Sequence, residues 1–262
     1  MLNYKIYRCR EESPWIVMIH GAGGSIEVWH RQINDFVKHF NLLLVDLAGH
    51  GDSSNRTDIF DFDSVAEQVI EVVDYNNIST AHFMGLSLGS IIVRVIADRH
   101  SSRVSSMLLA GAVTQLCWES RALLRWAGWI NHILPYRMMK WLIAKILIPN
   151  SRYRNSMSMF LKSAKRLSFE NFLKWLNICG FINKRVGRLF NEKLSIPTLY
   201  LMGEDDYFFL PHAHQAMLSG GKMAQLAVLP RAGHVCNIDN KRDFNRLAIE
   251  FIQHIGSSLN RL

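Results

Sequence analysis

Gly85-Leu86-Ser87-Leu88-Gly89 is the stretch from which the fold of this chain can be read. Ahead of it, Thr80-Ala81-His82-Phe83-Met84 is a mostly apolar run of strand length. Behind it, Ser90-Ile91-Ile92-Val93-Arg94-Val95-Ile96-Ala97 reads as a largely buried helix. A serine between two glycines, where a strand turns into a helix, has a steric reason to be there. So sharp a turn forces the serine into a strained backbone conformation, and any side chain two residues to either side would collide. The turn holds the hydroxyl clear of the sheet, with the first amides of the helix aimed at whatever it attacks. Five such residues alone would fit a glycine-bounded turn with an incidental serine; the flanking strand and helix favour a nucleophile.

Working outward, residues 2–8 alternate Leu2, Tyr4 and Ile6 with Asn3, Lys5 and Tyr7, the period of an edge strand. Trp15-Ile16-Val17-Met18-Ile19 is a continuous apolar run, expected of a strand covered on both faces, and it leads into His20-Gly21-Ala22-Gly23-Gly24. Leu42-Leu43-Leu44-Val45 is a second such strand, ending in Asp46-Leu47-Ala48-Gly49-His50-Gly51-Asp52-Ser53. Ser64 followed by Glu67 predicts a capping box opening a helix through about Asp74, with Val65, Val69, Val72 and Val73 inward. Strands are also predicted over Val104–Ala110, Pro197–Met202 and Ala224–Leu229, and helices over His212–Leu218 and Arg242–Ile255. Strands alternating with helices at this spacing predict an α/β fold, a doubly wound and mostly parallel sheet. Its ligands should sit beyond the carboxyl ends of the strands, where each of these glycine-rich or acidic stretches falls.

The rhythm breaks from about residue 117 to 190, where no strand-like run occurs and Pro135, Pro149 and Gly180 punctuate helical patterns. The predicted organisation is a core of residues 1–116 and 191–262 with an inserted helical lid of residues 117–190. Charge marks the same segment. From Trp118 to Phe190 there are fourteen Lys and Arg against Glu119 and Glu170, a net of +12, which leaves −4 for the rest of a chain whose total is +8.

A length of 262 residues with 49% hydrophobic and 11% aromatic residues suits one large core and excludes a disordered chain. No secretory signal is visible at Met1–Arg8, and the longest greasy run, Met138–Ile148, is interrupted by Lys140 and Lys145. Cys9, Cys117, Cys179 and Cys236 are widely spaced, so reduced thiols in a cytoplasmic protein are expected rather than disulfides or zinc. No metal-ligand spacing and no cofactor motif appears.

Serine needs a base to take its proton, and the base needs a third group to hold it. Ser87 is followed by the acidic Gly203-Glu204-Asp205-Asp206 after the penultimate strand and by Gly233-His234 after the last. This Ser…Asp…His order, with His20-Gly21, Asp46-x-x-Gly49-x-Gly51-x-Ser53 and Gly85-x-Ser87-x-Gly89, resembles the α/β-hydrolase superfamily over nearly the whole chain. The resemblance implies Ser87 as nucleophile, His234 as general base and then acid, and Asp206 as the orienting carboxylate, with adjacent Asp205 as its rival. It also implies an oxyanion hole from the backbone amides of Ala22 and Leu88. Serine at the elbow argues against the family's dehalogenases and epoxide hydrolases, which place a carboxylate there. His20 and His50 are expected to orient loops, Asp46 and Asp52 to satisfy backbone amides, and Cys236 to be a packed thiol.

Trp118, Trp126, Trp129, Trp141 and Trp175 all lie in the lid and are expected mainly to pack its helices, while the lid also supplies an acyl pocket. A one-sided positive field over an active-site mouth attracts an anionic partner. Arg121, Arg125, Arg152 and Arg154 are the residues expected to meet it. The candidates are an acidic acyl carrier protein, coenzyme A thioesters or an anionic lipid surface; nucleic acid lacks any supporting motif. In size, basic lid and motif set the chain looks like carboxylesterases that demethylate pimeloyl-carrier-protein methyl ester in biotin synthesis. Rival readings are a menaquinone-pathway-type lyase or C–C hydrolase using the same triad, and a non-catalytic binding module on the same fold.

Overall fold

The seven segments that read as strands assemble into one sheet. The computed structural model describes residues 1–53, 61–115, 135–180 and 182–259. In chain order the strands are β1 (Tyr4–Tyr7), β2 (Trp15–Ile19), β3 (Asn41–Val45), β4 (Ala81–Leu86), β5 (Val104–Ala110), β6 (Thr198–Gly203) and β7 (Ala224–Leu229). Across the sheet they run β1-β3-β2-β4-β5-β6-β7, with β1 antiparallel to β3 and every other pair parallel. β3, β4 and β6 are buried at every position, because helices cover both faces, whereas β1 and β7, at the edges, carry exposed residues.

Alternate residues feed two separate cores. Val17, Ile19, Leu43, Val45, Phe83, Met107 and Leu109 face one side, and Ile16, Met18, Leu42, Leu44, Met84, Leu108 and Leu201 the other. On the second side, α1 (His30–Phe36) follows a 3₁₀ turn at Ile26–Trp29 and packs through Phe36. α1 matches no apolar period in the sequence, since its buried residues are only Gln32 and Phe36.

On the first side lies α2 (Phe62–Tyr75), where the predicted capping box needs correction. Asp61 is the cap: its Oδ1 accepts the Ser64 N–H at 2.7 Å, while the Ser64 hydroxyl accepts the Asp61 N–H at 3.1 Å. Ser64 therefore occupies the third helical position rather than the cap, and an aspartate cap holding the first-turn amides has already begun the helix at Phe62. Glu67 is free to pair with Arg99 at 2.7 Å and His100 at 3.0 Å instead. The inward valines fall as expected: Val65, Val69, Val72 and Val73 are buried.

α3 (Leu88–Arg99) leaves the elbow and is buried over its first ten residues. Between β5 and β6 come α4 (Tyr136–Leu147), α5 (Arg154–Ala164), α6 (Phe169–Gly180) and α7 (Ile182–Asn191). Pro135 caps α4, Pro149 follows its end, and Gly180 closes α6, so all three predicted breaks fall at helix boundaries. Residues 116–134, which include Arg121, Arg125, Trp118, Trp126 and Trp129, lie outside the described residues. Of the two described tryptophans of this segment, Trp175 is buried and donates its indole N–H to the Ala48 carbonyl at 3.0 Å. Trp141 departs from the packing expectation and is half exposed, with Lys145 5.8 Å from its ring centre. A lysine ammonium over an exposed ring is a favourable pairing that needs no core. Arg94 of α3 donates to the carbonyl of Leu189 near the end of α7, tying that helix to α3.

The chain closes with α8 (Leu210–Gly220), the single-turn α9 (Cys236–Asp239) and α10 (Lys241–Leu259), whose Phe244, Ala248 and Ile252 complete the second core. No helix among the described residues is long and apolar enough to cross a membrane.

Candidate active site

Parallel strands with helices returning on both sides leave their carboxyl ends on one edge, and β2 and β4 are aligned there with Ile19 opposite Gly85. Ser87 follows at once and caps α3 with φ 51° and ψ −116°, a left-handed conformation that costs a residue with a Cβ about 1–3 kcal/mol. A Cβ on Gly85 would lie 2.3 Å from the Gly89 carbonyl oxygen, and one on Gly89 would lie 2.3 Å from the carbonyl oxygen of Ile19. The two glycines are thus required by the close approach of backbone on either side of the turn.

His234, from the loop after β7, stands with Nε2 2.9 Å from the Ser87 hydroxyl and Nδ1 2.8 Å from Oδ2 of Asp206. A carboxylate only accepts, so Nδ1 carries the proton and Nε2 presents its lone pair to the serine O–H. The histidine and Asp206 are only 4% and 3% exposed, which strengthens the interactions along this line. Asp205 turns the other way. Its carboxylate accepts the O–H of Tyr153 and, at 3.3 Å, that of Tyr207.

Ala22 lines the cavity beside Ser87, and Leu88 is the first residue of α3. Among the described residues neither amide donates to another protein group, so both are free for a ligand. The loop carrying Ala22 is held by two neutral imidazoles. His20 donates from Nδ1 to the Gly21 carbonyl at 2.8 Å and accepts the Leu47 N–H at Nε2 at 3.0 Å. His50 accepts the Gly23 N–H at Nε2 at 2.9 Å and donates from Nδ1 to Ala48 at 3.2 Å. Asp46 accepts the N–H groups of Ile26 and Asp52 at 2.7 and 3.1 Å, as expected of it. Asp52 differs from its expected role: its own side chain is exposed and faces Arg166 at 3.4 Å. Cys236 is a buried thiol donating to the Leu201 carbonyl at 3.3 Å, outside the cavity lining.

Burial pushes His50 down to about 3, helped by the neighbouring His20, and pushes His82 down to about 4. His20 is also lowered, burial outweighing the pull of Asp46. In the unfolded chain each takes its proton near 6.5. The folded values lie below the unfolded ones, so the unfolded state binds protons first and stability held above pH 6.5 is lost as pH falls toward the folded values. The unfolding free energy should therefore be lower at pH 5 than at pH 7, falling by about 1.4 kcal/mol per pH unit below pH 6.5 for each of His50 and His82. His82→Gln should flatten that slope; an unchanged slope would remove His82 from the account.

Above Ser87 and His234 is a cavity of about 60 Å³ whose walls include Val28, Leu147, Ile148, Met159 and Phe160, with no cationic side chain among them but His234 if protonated. The far side of α5 borders an open groove of about 790 Å³, where Lys145, Arg154, Lys162 and Lys165 surround Ile148, Met157 and Leu161. Ile148 belongs to both, so cavity and groove lie back to back. Arg152, next along, is exposed. Among the described residues, no three His, Cys, Asp or Glu converge as metal ligands.

Ser87, Asp206 and His234, which the strand-end motifs pick out, thus meet; of the four arginines expected from the charge of the helical segment, Arg154 borders the groove, Arg152 is exposed, and Arg121 and Arg125 are not described. Sequence reasoning missed Tyr153, Ser156 and Asp239, which join α5 to the loops beside Asp206 and His234. No motif marks them, because their pairing spans the helical segment and two separate loops.

Residues 14–208 match the model of the alpha/beta hydrolase fold family. Among curated relatives, 3-oxoadipate enol-lactonase 2 of Acinetobacter baylyi is 22% identical, covering 96% of this chain and 92% of its own. Pimeloyl-[acyl-carrier protein] methyl ester esterase of Hamiltonella defensa is 24% identical, covering 97% and 98%. The solved structure of an esterase from Exiguobacterium antarcticum superposes with a TM-score of 0.82 at 18% identity, covering 96% of this chain and 95% of its own.

Proposed function

Because the chain belongs to the alpha/beta hydrolase fold family, we propose that it is a serine-dependent carboxylic ester hydrolase working through an acyl-enzyme. The observation that carries this reading is the unbroken hydrogen-bonded line from Ser87 through His234 to Asp206 at the floor of a cavity. In it, His234 Nε2 takes the Ser87 proton as the oxygen attacks the ester carbonyl. The Asp206 carboxylate holds the resulting imidazolium, and the amides of Ala22 and Leu88 receive the oxyanion, each worth about 3 kcal/mol in the transition state. His234 then returns the proton to the departing alcohol, and water repeats the sequence to release the acid.

For the substrate, we read residues 117–190 as a lid over a core of 1–116 and 191–262, and its charge as suited to an anionic or acyl-carrier-linked ester. Two features support this. The cavity beside Ser87 is narrow and mostly apolar, at about 60 Å³ less than half of the 150 Å³ that accommodates benzene elsewhere, which suits a short uncharged group. The adjoining groove carries four cations and no acid. A substrate with a short neutral end at Ser87 and an anionic body along α5 fits both. Pimeloyl-carrier-protein methyl ester is one such compound, and one relative is named for it.

Charge reversal tests the anionic half of the proposal. Lys145→Glu with Arg154→Glu should lower kcat/KM for a carrier-linked ester by about tenfold or more, chiefly in association, and added salt should mimic the loss. Hydrolysis of p-nitrophenyl acetate should change less than about twofold, since these residues lie outside the cavity. Equal loss on both esters, or loss on neither, would leave the groove without this role.

A further inference from the structure

We propose that Tyr153 and Ser156 are positioning residues that couple the seating of α5 to the alignment of Asp206 and His234. The inference rests on the triad reading above and gives the helical segment a role beyond covering the site.

Two hydroxyls at the start of α5 reach the two loops on which the acid and the base depend. Tyr153, buried at the cap of α5, donates its O–H to Asp205, the neighbour of Asp206. Ser156, three residues on and 1% exposed, donates to Oδ1 of Asp239 on α9. The other oxygen of that carboxylate accepts the N–H of Gly233 at 2.9 Å, the residue immediately before His234. The two loops are themselves joined, because the Asp205 N–H donates to the Ala232 carbonyl at 2.9 Å. The result is a closed ring of bonds running α5, acid loop, histidine loop, α9 and back to α5.

Further along, the same helix turns Met159 and Phe160 toward the cavity above Ser87. One element therefore borders the cavity with Ser156, Met159 and Phe160 and reaches both triad loops from its first turn. Hydroxyl-to-carboxylate bonds are about twice as strong as neutral ones, and these two are partly buried. None of Tyr153, Asp205 or Asp239 has a part in the hydrolysis itself, so fixing the loops is the function left to them. Their effect on rate can be large, since a misplacement of about 1 Å costs on the order of 100-fold in turnover.

The experiment compares Tyr153→Phe, Ser156→Ala and the double variant on a small neutral ester. Rates are taken per active site, counted by a serine-directed fluorophosphonate, and Tm is recorded for each. The two ties hold one helix end in parallel, so each single variant should lose about threefold in kcat and the double about thirtyfold, with KM within about twofold. Asp239→Ala should match the Ser156 loss. Asp239→Asn should restore it, because the amide can still accept from Gly233 and donate to Ser156. A double variant with unchanged kcat, a loss confined to KM, or a lowered Tm with kcat intact would overturn the coupling. Should the double variant not fold, Tyr153→Phe decides: lower kcat at constant KM supports the coupling, and unchanged kcat refutes it. Ser87→Ala is measured alongside. If that variant stays active, the triad reading fails; if it is dead while the α5 variants behave as wild type, only the coupling fails.

Discussion

Ser87→Ala is expected to lower ester turnover by about six orders of magnitude while leaving the protein folded. Serine and alanine both carry a Cβ, so the strain at φ 51° is the same for either, and among the described residues the hydroxyl's partner is His234 alone. What disappears is the nucleophile, and with it the purpose of the base. His234→Ala should lose about as much and the double variant little more, because the members of such a unit do not act additively. Thermal unfolding within a few degrees of wild type, beside kcat at the background of the oxyanion donors, is the expected pair of measurements. A Ser87→Ala enzyme retaining more than a few per cent of turnover would refute the mechanism.

The second large effect separates two neighbouring aspartates. Asp206→Asn should reduce kcat by about 10⁴, because an amide in place of the carboxylate oxygen can donate to Nδ1 and stabilise the wrong tautomer. The imidazole would then present an N–H to Ser87 instead of a lone pair. Asp205→Asn should cost only a few-fold, since its contacts are the hydroxyls of Tyr153 and Tyr207 and an amide oxygen still accepts from a hydroxyl. Steady-state kinetics on p-nitrophenyl acetate distinguish the two. The opposite ranking would transfer the orienting role to Asp205.

How much of this was legible beforehand differs from element to element. The sheet could be read because central strands such as Trp15–Ile19 are uninterrupted apolar runs, and the strands predicted over Val104–Ala110 and Ala224–Leu229 have the same bounds in the structure. Ser87, His234 and the acidic Asp205-Asp206 pair could be placed at strand ends from the strand pattern, and the resemblance to the α/β-hydrolases implied that they meet there. Asp205 could not be distinguished from Asp206 on chemistry, only on spacing; it is the direction of the two side chains that differs. The cap of α2 was misread because Ser64 and Glu67 satisfy the pattern, while Asp61 and Ser64 satisfy the hydrogen bonds. α1 and α9 were invisible, one for want of an apolar stripe and the other for want of length. Asp52 and Trp141 were assigned by residue type to roles that their exposure denies them. Tyr153 and Ser156 bond to residues 52 and 83 positions away along the chain, and no local pattern foretells such pairings.

The central claim is that Ser87 becomes covalently acylated during turnover. Rapid mixing with p-nitrophenyl acetate, an acid quench and intact-mass spectrometry measure this directly. The account predicts a species heavier by one acetyl group, about 42 Da, localised by peptide mapping to Ser87 and absent from Ser87→Ala. Slowing deacylation with a bulkier acyl group should raise its yield. Steady turnover of the ester with no acylated species at any time, or with the acyl group on another residue, would contradict it.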